Sequence, residues 1–492
     1  MRRSAGILLP IFSLPSDYGI GTFGKEAYKF VDFLSKTSQS YWQILPLGPT
    51  SYGDSPYSSF STFALNPYFI DFDLLIKDKL IKQKDVIAYK NKYKSKINYK
   101  WLYDTRFIVL RKAYNNGLNR YKKEFNKFKN ENKNWLDDYS LFMSIKKYFN
   151  DVSWMYWPDN DIKLRKPNSI KSYRNKLKDE IEMQKFIQFL AYKQYFNLKK
   201  YANSKGIKII GDIPIYVPFD SSDVWSNTNL FELTSALVPK LVSGVPPDYF
   251  SSDGQLWGNP IFNWKQMKKD NYKWWINRFK GASSLFDVIR IDHFRGFESY
   301  WSVKYGNKTA KIGKWCKGPN NDLLDVIKKN FKNTEFIAED LGYLTESVTK
   351  MLKDFGYPGM KVLEFAFDSR EPSDHSPHHF INNSICYLGT HDNSTCKGWF
   401  KQITKESLAL AVNYCGLNTK EGYVNGMIRT AMSSVSDVFI AQMQDYLELD
   451  DKARINIPGT VGENWKWRMN KKYYSSKLIN KILNFTKLYG RI

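Results

Sequence analysis

The sequence predicts a (β/α)8 TIM barrel with large loop insertions after the second and third strands. Three observations carry this. Eight short apolar runs recur along the chain without clean alternation, as strands buried on both faces do. Helical stretches lie between many of them, which is the βα rhythm of a parallel sheet. Three of the runs end in acids and a fourth is followed closely by one, Asp392, and parallel strands bring such ends to one mouth.

The runs are Ala5–Leu9, Tyr41–Leu45, Lys208–Asp212, Val288–Asp292, Glu335–Glu339, Lys361–Phe367, Ile385–Gly389 and Asp437–Gln442. Helical patterns cover Gly24–Thr37, Gln184–Lys205, Trp274–Lys280, Asn321–Asn330 and Thr345–Phe355. The spacing is uneven. Residues about 50–205, with a helical pattern at Trp101–Tyr114, and 218–286 are read as insertions forming subdomains around the mouth of one barrel spanning 1–492. No Pro- or Ser-rich linker divides the chain, and no solenoid-type repeat is present.

Composition narrows the function classes. The chain has 492 residues, 42% of them hydrophobic, enough for a large core. No run approaches the roughly 20 apolar residues of a membrane span. The basic-then-apolar start, Met1–Pro10, is too short for a signal peptide, so Ile7–Leu9 reads as a buried strand and a cytoplasmic location is expected. The four cysteines (Cys316, Cys386, Cys396, Cys415) form no C-x-x-C pair, which argues against a disulfide framework or a zinc site. The net charge of +25 would suit a nucleic-acid partner. Yet the lysines are scattered through the chain and no nucleic-acid motif accompanies them, so we read drift in composition, with no nucleic-acid or membrane partner. Aromatic residues, 16% of the chain, are also spread out and suit a sugar cleft as well as they suit base stacking.

The chemistry concentrates in Gly211–Val217 (G-D-I-P-I-Y-V), Arg290–Gly296 (R-I-D-H-F-R-G), Ala338–Gly342 (A-E-D-L-G) and Gly389–Asn393 (G-T-H-D-N). Acids gathered at a barrel mouth raise each other's pKa, and one can stay protonated near neutral pH. Retaining glycosidases use such a pair, about 5–5.5 Å apart: one carboxylate attacks the anomeric carbon and one acid protonates the leaving oxygen. Arg290 lies two residues before Asp292, so on a strand the two share a face and the guanidinium can hold the carboxylate ionised. Taken singly, R-x-D reads as an ordinary ion pair and H-D-N as a turn.

R-I-D-H-F-R-G resembles the nucleophile motif of the amylomaltases, or disproportionating enzymes, 4-α-glucanotransferases of the α-amylase clan. Ile11–Gly24, Trp42–Gly48 with Ser55–Asn66, Pro246–Trp264 and Pro458–Arg468 resemble other segments of that family, in the family's order. The resemblance implies that Asp292 is the nucleophile, Glu339 the general acid and base, and Asp392 the group holding the 2- and 3-hydroxyls of the reacting glucose. It implies that Arg290 fixes Asp292, that His391 contacts the same sugar, and that Asp212 and Tyr57 line the donor side. Trp257, with Tyr249, Phe250 and Gln255, would hold the acceptor on a flexible loop, Pro246–Pro260. The implied activity is transfer of an α-1,4-glucan segment to the 4-hydroxyl of glucose or a maltooligosaccharide, by double displacement through a covalent glycosyl-enzyme, with no metal or organic cofactor. Donors would be maltodextrin, amylose or starch-derived glucan. The alternatives are an α-glucan hydrolase or branching enzyme of the same clan, or a glycan- or RNA-binding protein on a dead barrel. One segment departs from the family: His379 and Phe380 in Asp374–Phe380 stand where Asn and Tyr are usual. Its three histidines could suggest a metal site. Without helical spacing or a nearby cysteine we read a solvated loop.

Overall fold

The computed structural model describes residues 1–51, 53–247, 251–342 and 344–492. Eight parallel strands form its centre: β1 (Ser4–Leu8), β2 (Tyr41–Gln43), β3 (Lys208–Ile213), β4 (Val288–Ile291), β5 (Glu335–Ala338), β6 (Gly359–Val362), β7 (Ser384–Tyr387) and β8 (Val438–Gln442). Each overlaps one of the expected runs. Their order is β6-β7-β8-β1-β2-β3-β4-β5. The ring closes between β5 and β6, where the Ala338 N–H donates to the Pro358 carbonyl at 3.0 Å and the Met360 N–H to Asp340 Oδ1 at 2.6 Å.

Alternation along each strand sorts the side chains into two cores. Leu8, Tyr41, Ile210, Val288, Ile337, Met360, Ile385, Tyr387, Val438 and Ile440 fill the barrel. Ile7, Ile209, Ile213, Ile289, Ile291, Phe336 and Ala441 face outward into the helical layer. Gly6 faces Tyr41 across the β1–β2 pair, and a Cβ on it would sit 2.7 Å from the Tyr41 Cβ. The barrel interior is closed there by the tyrosine, which leaves glycine as the residue that fits opposite.

The outer layer includes helices Lys25–Lys36, Lys178–Ser204, Lys273–Leu285, Asn321–Asn330, Glu346–Phe355, Lys405–Cys415, Tyr423–Ser433 and Ser476–Leu488. Two features differ from the sequence reading. The run Lys361–Phe367 is a strand only to Val362; Leu363–Phe367 is a 3-10 turn, and among the described residues β6 and β7 are joined without an α-helix. The solvated loop Asp374–Phe380 is also partly anchored. His375 Nδ1 accepts the Val362 N–H at 3.1 Å, and burial with the nearby Lys361 pushes its pKa down to about 4, whereas His378 and His379 are exposed.

The connection from β2 to β3 carries helices Tyr99–Gly117, Lys122–Glu131, Lys133–Tyr148 and Pro167–Lys176 before the long helix Lys178–Ser204. The connection from β3 to β4 supplies strands Leu241–Val245 and Gln255–Pro260. These join Ser299–Lys304 and Gly313–Lys317, which come after β4, in one antiparallel sheet. The loop expected over Pro246–Pro260 is therefore in part an edge strand of that sheet. Among the described residues no helix is long and apolar enough to cross a membrane.

Arg491 ties the chain's end to the foot of the barrel. It is fully buried and donates to the carbonyls of Met432 (2.8 Å), Ser4 (3.0 Å), Ser436 (3.1 Å) and Ser434 (3.1 Å). Arg3 also donates to the Met432 and Ser434 carbonyls, so replacing Arg491 by Met removes one of two donors there and the bonds to Ser4 and Ser436 in a dry site. Arg491→Met is expected to cost about 2–4 kcal/mol and to lower the midpoint of thermal unfolding, with the rate per folded molecule within about twofold of the parent. Calorimetry alongside an activity assay checks both.

Candidate active site

The alternation that fills the barrel also builds its mouth. Ile210 and Val288 point inward, so Asp212 and then Arg290 and Asp292 continue that face upward; Ile337 does the same for Glu339. The β3–β4 register pairs Asp212 directly with Arg290. The ladder runs one residue past the strands: the Asp292 N–H donates to Ile213 O at 3.0 Å, and the Glu339 N–H to Ile291 O at 2.9 Å. Both acids thus stand on rigid backbone rather than on loops.

Arg290 is 4% exposed. Its Nη1 meets Asp212 Oδ2 at 2.6 Å and Asp292 Oδ1 at 2.9 Å, and its Nε meets the Met360 sulfur at 3.4 Å. A buried guanidinium needs such partners: burial pulls its pKa down, and the charges of Asp212 and Asp292 outweigh that and raise it above the ordinary value. Glu339 has a different setting. Its Oε2 accepts the His293 N–H at 2.7 Å and its Oε1 the Leu341 N–H at 2.8 Å. His293 is in the left-handed region, φ 50°, in the tight turn that begins one residue after Asp292.

Burial pushes the Asp292 carboxyl up, Arg290 opposes, and the charges of Asp212 and Glu339 add to the rise. Burial also pushes Glu339 up, against Arg290 and its two backbone donors. The Glu339 charge raises Asp292 and the Asp212 charge raises both, and acids crowded in a dry site do not all ionise together. The partners divide the roles: Asp292 touches a permanent cation, whereas Glu339 touches neutral N–H groups.

Tyr57 and His391 form the opposite wall. Tyr57 donates to Asp212 Oδ2 at 2.7 Å and stacks on the His391 ring, with centroids 5.3 Å apart and planes 11° apart. Trp465 packs against both, at 5.9 and 6.1 Å. The charges of Asp212, Arg290, Asp292 and Asp392 all act on the Tyr57 hydroxyl, which burial pushes far above its ordinary pKa. Asp392 comes directly after His391, with a side chain 45% exposed. Its Oδ1 accepts from Asn456 Nδ2 at 2.7 Å, and its carbonyl from Arg454 at 2.6 Å. Burial pushes the His391 pKa below its ordinary value, and its Nδ1 has no partner among the described residues.

On the other side, Trp257 lies edge-on to His293 at 4.8 Å and near Tyr216 at 6.2 Å. It is 37% exposed, and its Nε1 donates to Gln255 Oε1 at 3.3 Å. Tyr249 and Phe250 lie outside the described residues.

A family model described as 4-alpha-glucanotransferase matches residues 9–473. The chain belongs to the 4-α-glucanotransferase family. It is 52% identical to the 4-alpha-glucanotransferase of Clostridium butyricum over 485 residues, covering 98% of this chain and 99% of that one. It is 44% identical to that of Streptococcus pneumoniae serotype 4, covering 100% and 98%. A solved amylomaltase from Streptococcus agalactiae, in complex with acarbose, superposes with a TM-score of 0.97 at 42% identity over 100% of both chains.

Trp465 lies in the segment Pro458–Arg468 singled out from the sequence, though with no role given to it, whereas Arg454 and Asn456 do not stand out. Their only signal is an R-x-N pair just before the family's closing P-G-T-V-G segment, and nothing local ties that pair to Asp392, 62 positions earlier for Arg454. Tyr57→Phe keeps the stack on His391 and loses the bond to Asp212. The lost bond is to a charged group, worth about 1.5–3 kcal/mol. Turnover of an α-1,4-glucan should fall about 10- to 100-fold with the fold intact, as steady-state kinetics and circular dichroism would report.

Proposed function

We propose that this family member transfers α-1,4-glucan segments by a retaining double displacement, with Asp292 as nucleophile and Glu339 as acid and then base. The observation that supports this most is the contrast between the two buried carboxyls, one on Arg290 and one on backbone N–H groups. In the first half-reaction Asp292 bonds to the anomeric carbon while Glu339 gives its proton to the departing 4-oxygen. Esterification removes the Asp292 charge that had kept Glu339 high, so Glu339 becomes a competent base. It then takes the proton from the 4-hydroxyl of the acceptor, whose oxygen attacks the anomeric carbon and releases Asp292.

Asp392 would hold the 2- and 3-hydroxyls of the reacting glucose, an interaction that strengthens as charge develops on the ring. His391, neutral and with Nδ1 unpaired, would meet the same sugar. Arg290 would orient Asp292, and Asp212 with Tyr57 would line the donor side. Trp257 and Gln255, with Tyr249 and Phe250, would receive the acceptor. The segments 50–205 and 218–286 would form the walls of the mouth. Donors would be maltodextrins, amylose or starch-derived glucan, acceptors glucose or maltooligosaccharides, in the cytoplasm.

Incubation with maltotriose alone should yield glucose and a ladder of longer maltooligosaccharides. Glucose and maltose in equal amounts, with nothing longer, would mark a hydrolase, and α-1,6 links revealed by debranching would mark a branching enzyme. Asp292→Asn or Glu339→Gln should lower turnover by at least about 10⁴-fold in a folded protein; parental activity in either would refute the assignment. The pH profile of kcat/KM should be bell-shaped. Activity is lost at low pH, when a second proton reaches the pair and neutralises Asp292. It is lost at high pH, when the single shared proton leaves Glu339. The residual activity of Glu339→Gln should lack the high-pH limb.

A further inference from the structure

Behind the loop that carries Asp392 lies a set of buried acids that the proposed reaction does not use. Glu364, in the 3-10 turn after β6, is 5% exposed, and Asp445, in the helical turn Met443–Tyr446 after β8, is 1% exposed. With Asp451 they grip the segment after β7 from outside. The Cys396 N–H donates to Asp445 Oδ1 at 2.8 Å, and the Thr395 N–H to Asp451 Oδ1 at 2.9 Å. The Glu364 N–H donates to Leu388 O at 3.1 Å, and a Cβ on Gly389 would sit 2.9 Å from Glu364 Oε2. Arg454 reaches the same loop from the cleft, donating to Asp392 O and to Ser394 Oγ at 3.1 Å.

Two carboxyl oxygens of this set, Glu364 Oε1 and Asp445 Oδ2, are fully buried without a hydrogen-bond partner among the described residues, as is Gln444 Oε1, next to Asp445 in the chain. All three are acceptors when the carboxyls are ionised, so a donor is missing. The charged groups acting on Glu364 are Asp445, Asp451 and Arg454, and Asp445 and Glu364 both act on the buried Cys396 thiol, which also feels Cys415. Arg454 has its donors engaged by Asp392, Ser394 and Asn456. Burial and the adjacent negative charges push Glu364 far above the carboxylate range, and burial pushes Asp445 up to about 7.

We propose that Glu364 is a positioning residue that carries a proton shared with Asp445, and that this proton, donated to Asp445 Oδ2 directly or through a water, keeps the Asp392 loop in register with the sugar. The inference rests on the proposed role of Asp392. Its sign comes from linkage. The folded pair binds a proton that the unfolded chain releases, so the contribution to stability is present at low pH and is lost as pH rises through the raised folded values. Deprotonation puts two uncompensated charges behind the loop, and Asp392 loses its alignment first.

The test uses the full-length enzyme. Infrared difference spectra at neutral pH should show the C=O stretch of an un-ionised carboxylic acid that disappears in Glu364→Gln. Glu364→Ala should lower kcat/KM on maltotriose about 10- to 100-fold and far less on a maltotriose lacking the 2-hydroxyl of its reacting glucose. Glu364→Gln, which keeps a donor, should recover most of that loss. An infrared spectrum unchanged by Glu364→Gln, or equal losses on both substrates in Glu364→Ala, would overturn the proposal. Asp392→Asn is run on the same two substrates: equal losses there would refute the role of Asp392 itself, whereas the infrared result stands on the proton alone. Should Glu364→Ala not fold, the Glu364→Gln infrared comparison decides.

Discussion

One buried guanidinium organises the mouth of this barrel. Arg290 stands among apolar side chains of the barrel interior, where an unpaired charge would cost several kcal/mol. Asp212 comes from the neighbouring strand at the same register position, and Asp292 from two residues further along the same strand. These sources leave little freedom. A slip of one residue in β3 would turn Asp212 outward and bring a glycine or isoleucine to the arginine. The register that fills the barrel with Ile210 and Val288 is therefore the register that charges its mouth.

That arrangement leaves a net negative charge to be managed. Arg290 offsets one of its two carboxylates, and Glu339 adds another acid within reach of the same field. The fold answers by giving Glu339 two backbone donors, one of them from His293 at φ 50°. The strain at His293 and the orientation of the Glu339 carboxylate are thus one feature. The same histidine supports Trp257 edge-on, so the turn that orients Glu339 also seats the aromatic wall of the proposed acceptor side.

The eight strands were legible because a parallel strand covered on both faces has no choice but a short apolar run. The inward acids were legible because each sits at the end of such a run. Three things were not. Leu363–Phe367 is as apolar as a strand but turns into 3-10 geometry, since Leu363 and Phe367 are buried in the outer helical layer. Residues 255–260 read as a loop from their Gly, Asn and Pro, and became a strand only by pairing with Leu241–Val245, itself held by Ser299–Lys304 from beyond β4. Arg454 and Asn456 act on Asp392 across a chain separation that no local pattern spans.

The two sides of the cleft are built to different standards of rigidity, which matters once the glycosidic bond has broken. The proposed donor wall is a stack of Tyr57, His391 and Trp465 locked by the bond to Asp212, with Asp392 held by Asn456 and Arg454. The proposed acceptor wall is an edge strand whose Trp257 is 37% exposed and rests on His293 and Tyr216. A glycosyl-enzyme needs its sugar ring fixed throughout, so rigidity belongs on the donor side. The leaving piece must depart and another sugar must enter by the same path, which asks the acceptor wall to open without disturbing the ring. An edge strand tied by hydrogen bonds along one side can move in that way, whereas the stack opposite cannot shift without breaking the Tyr57–Asp212 bond that joins it to Arg290 and the proposed nucleophile.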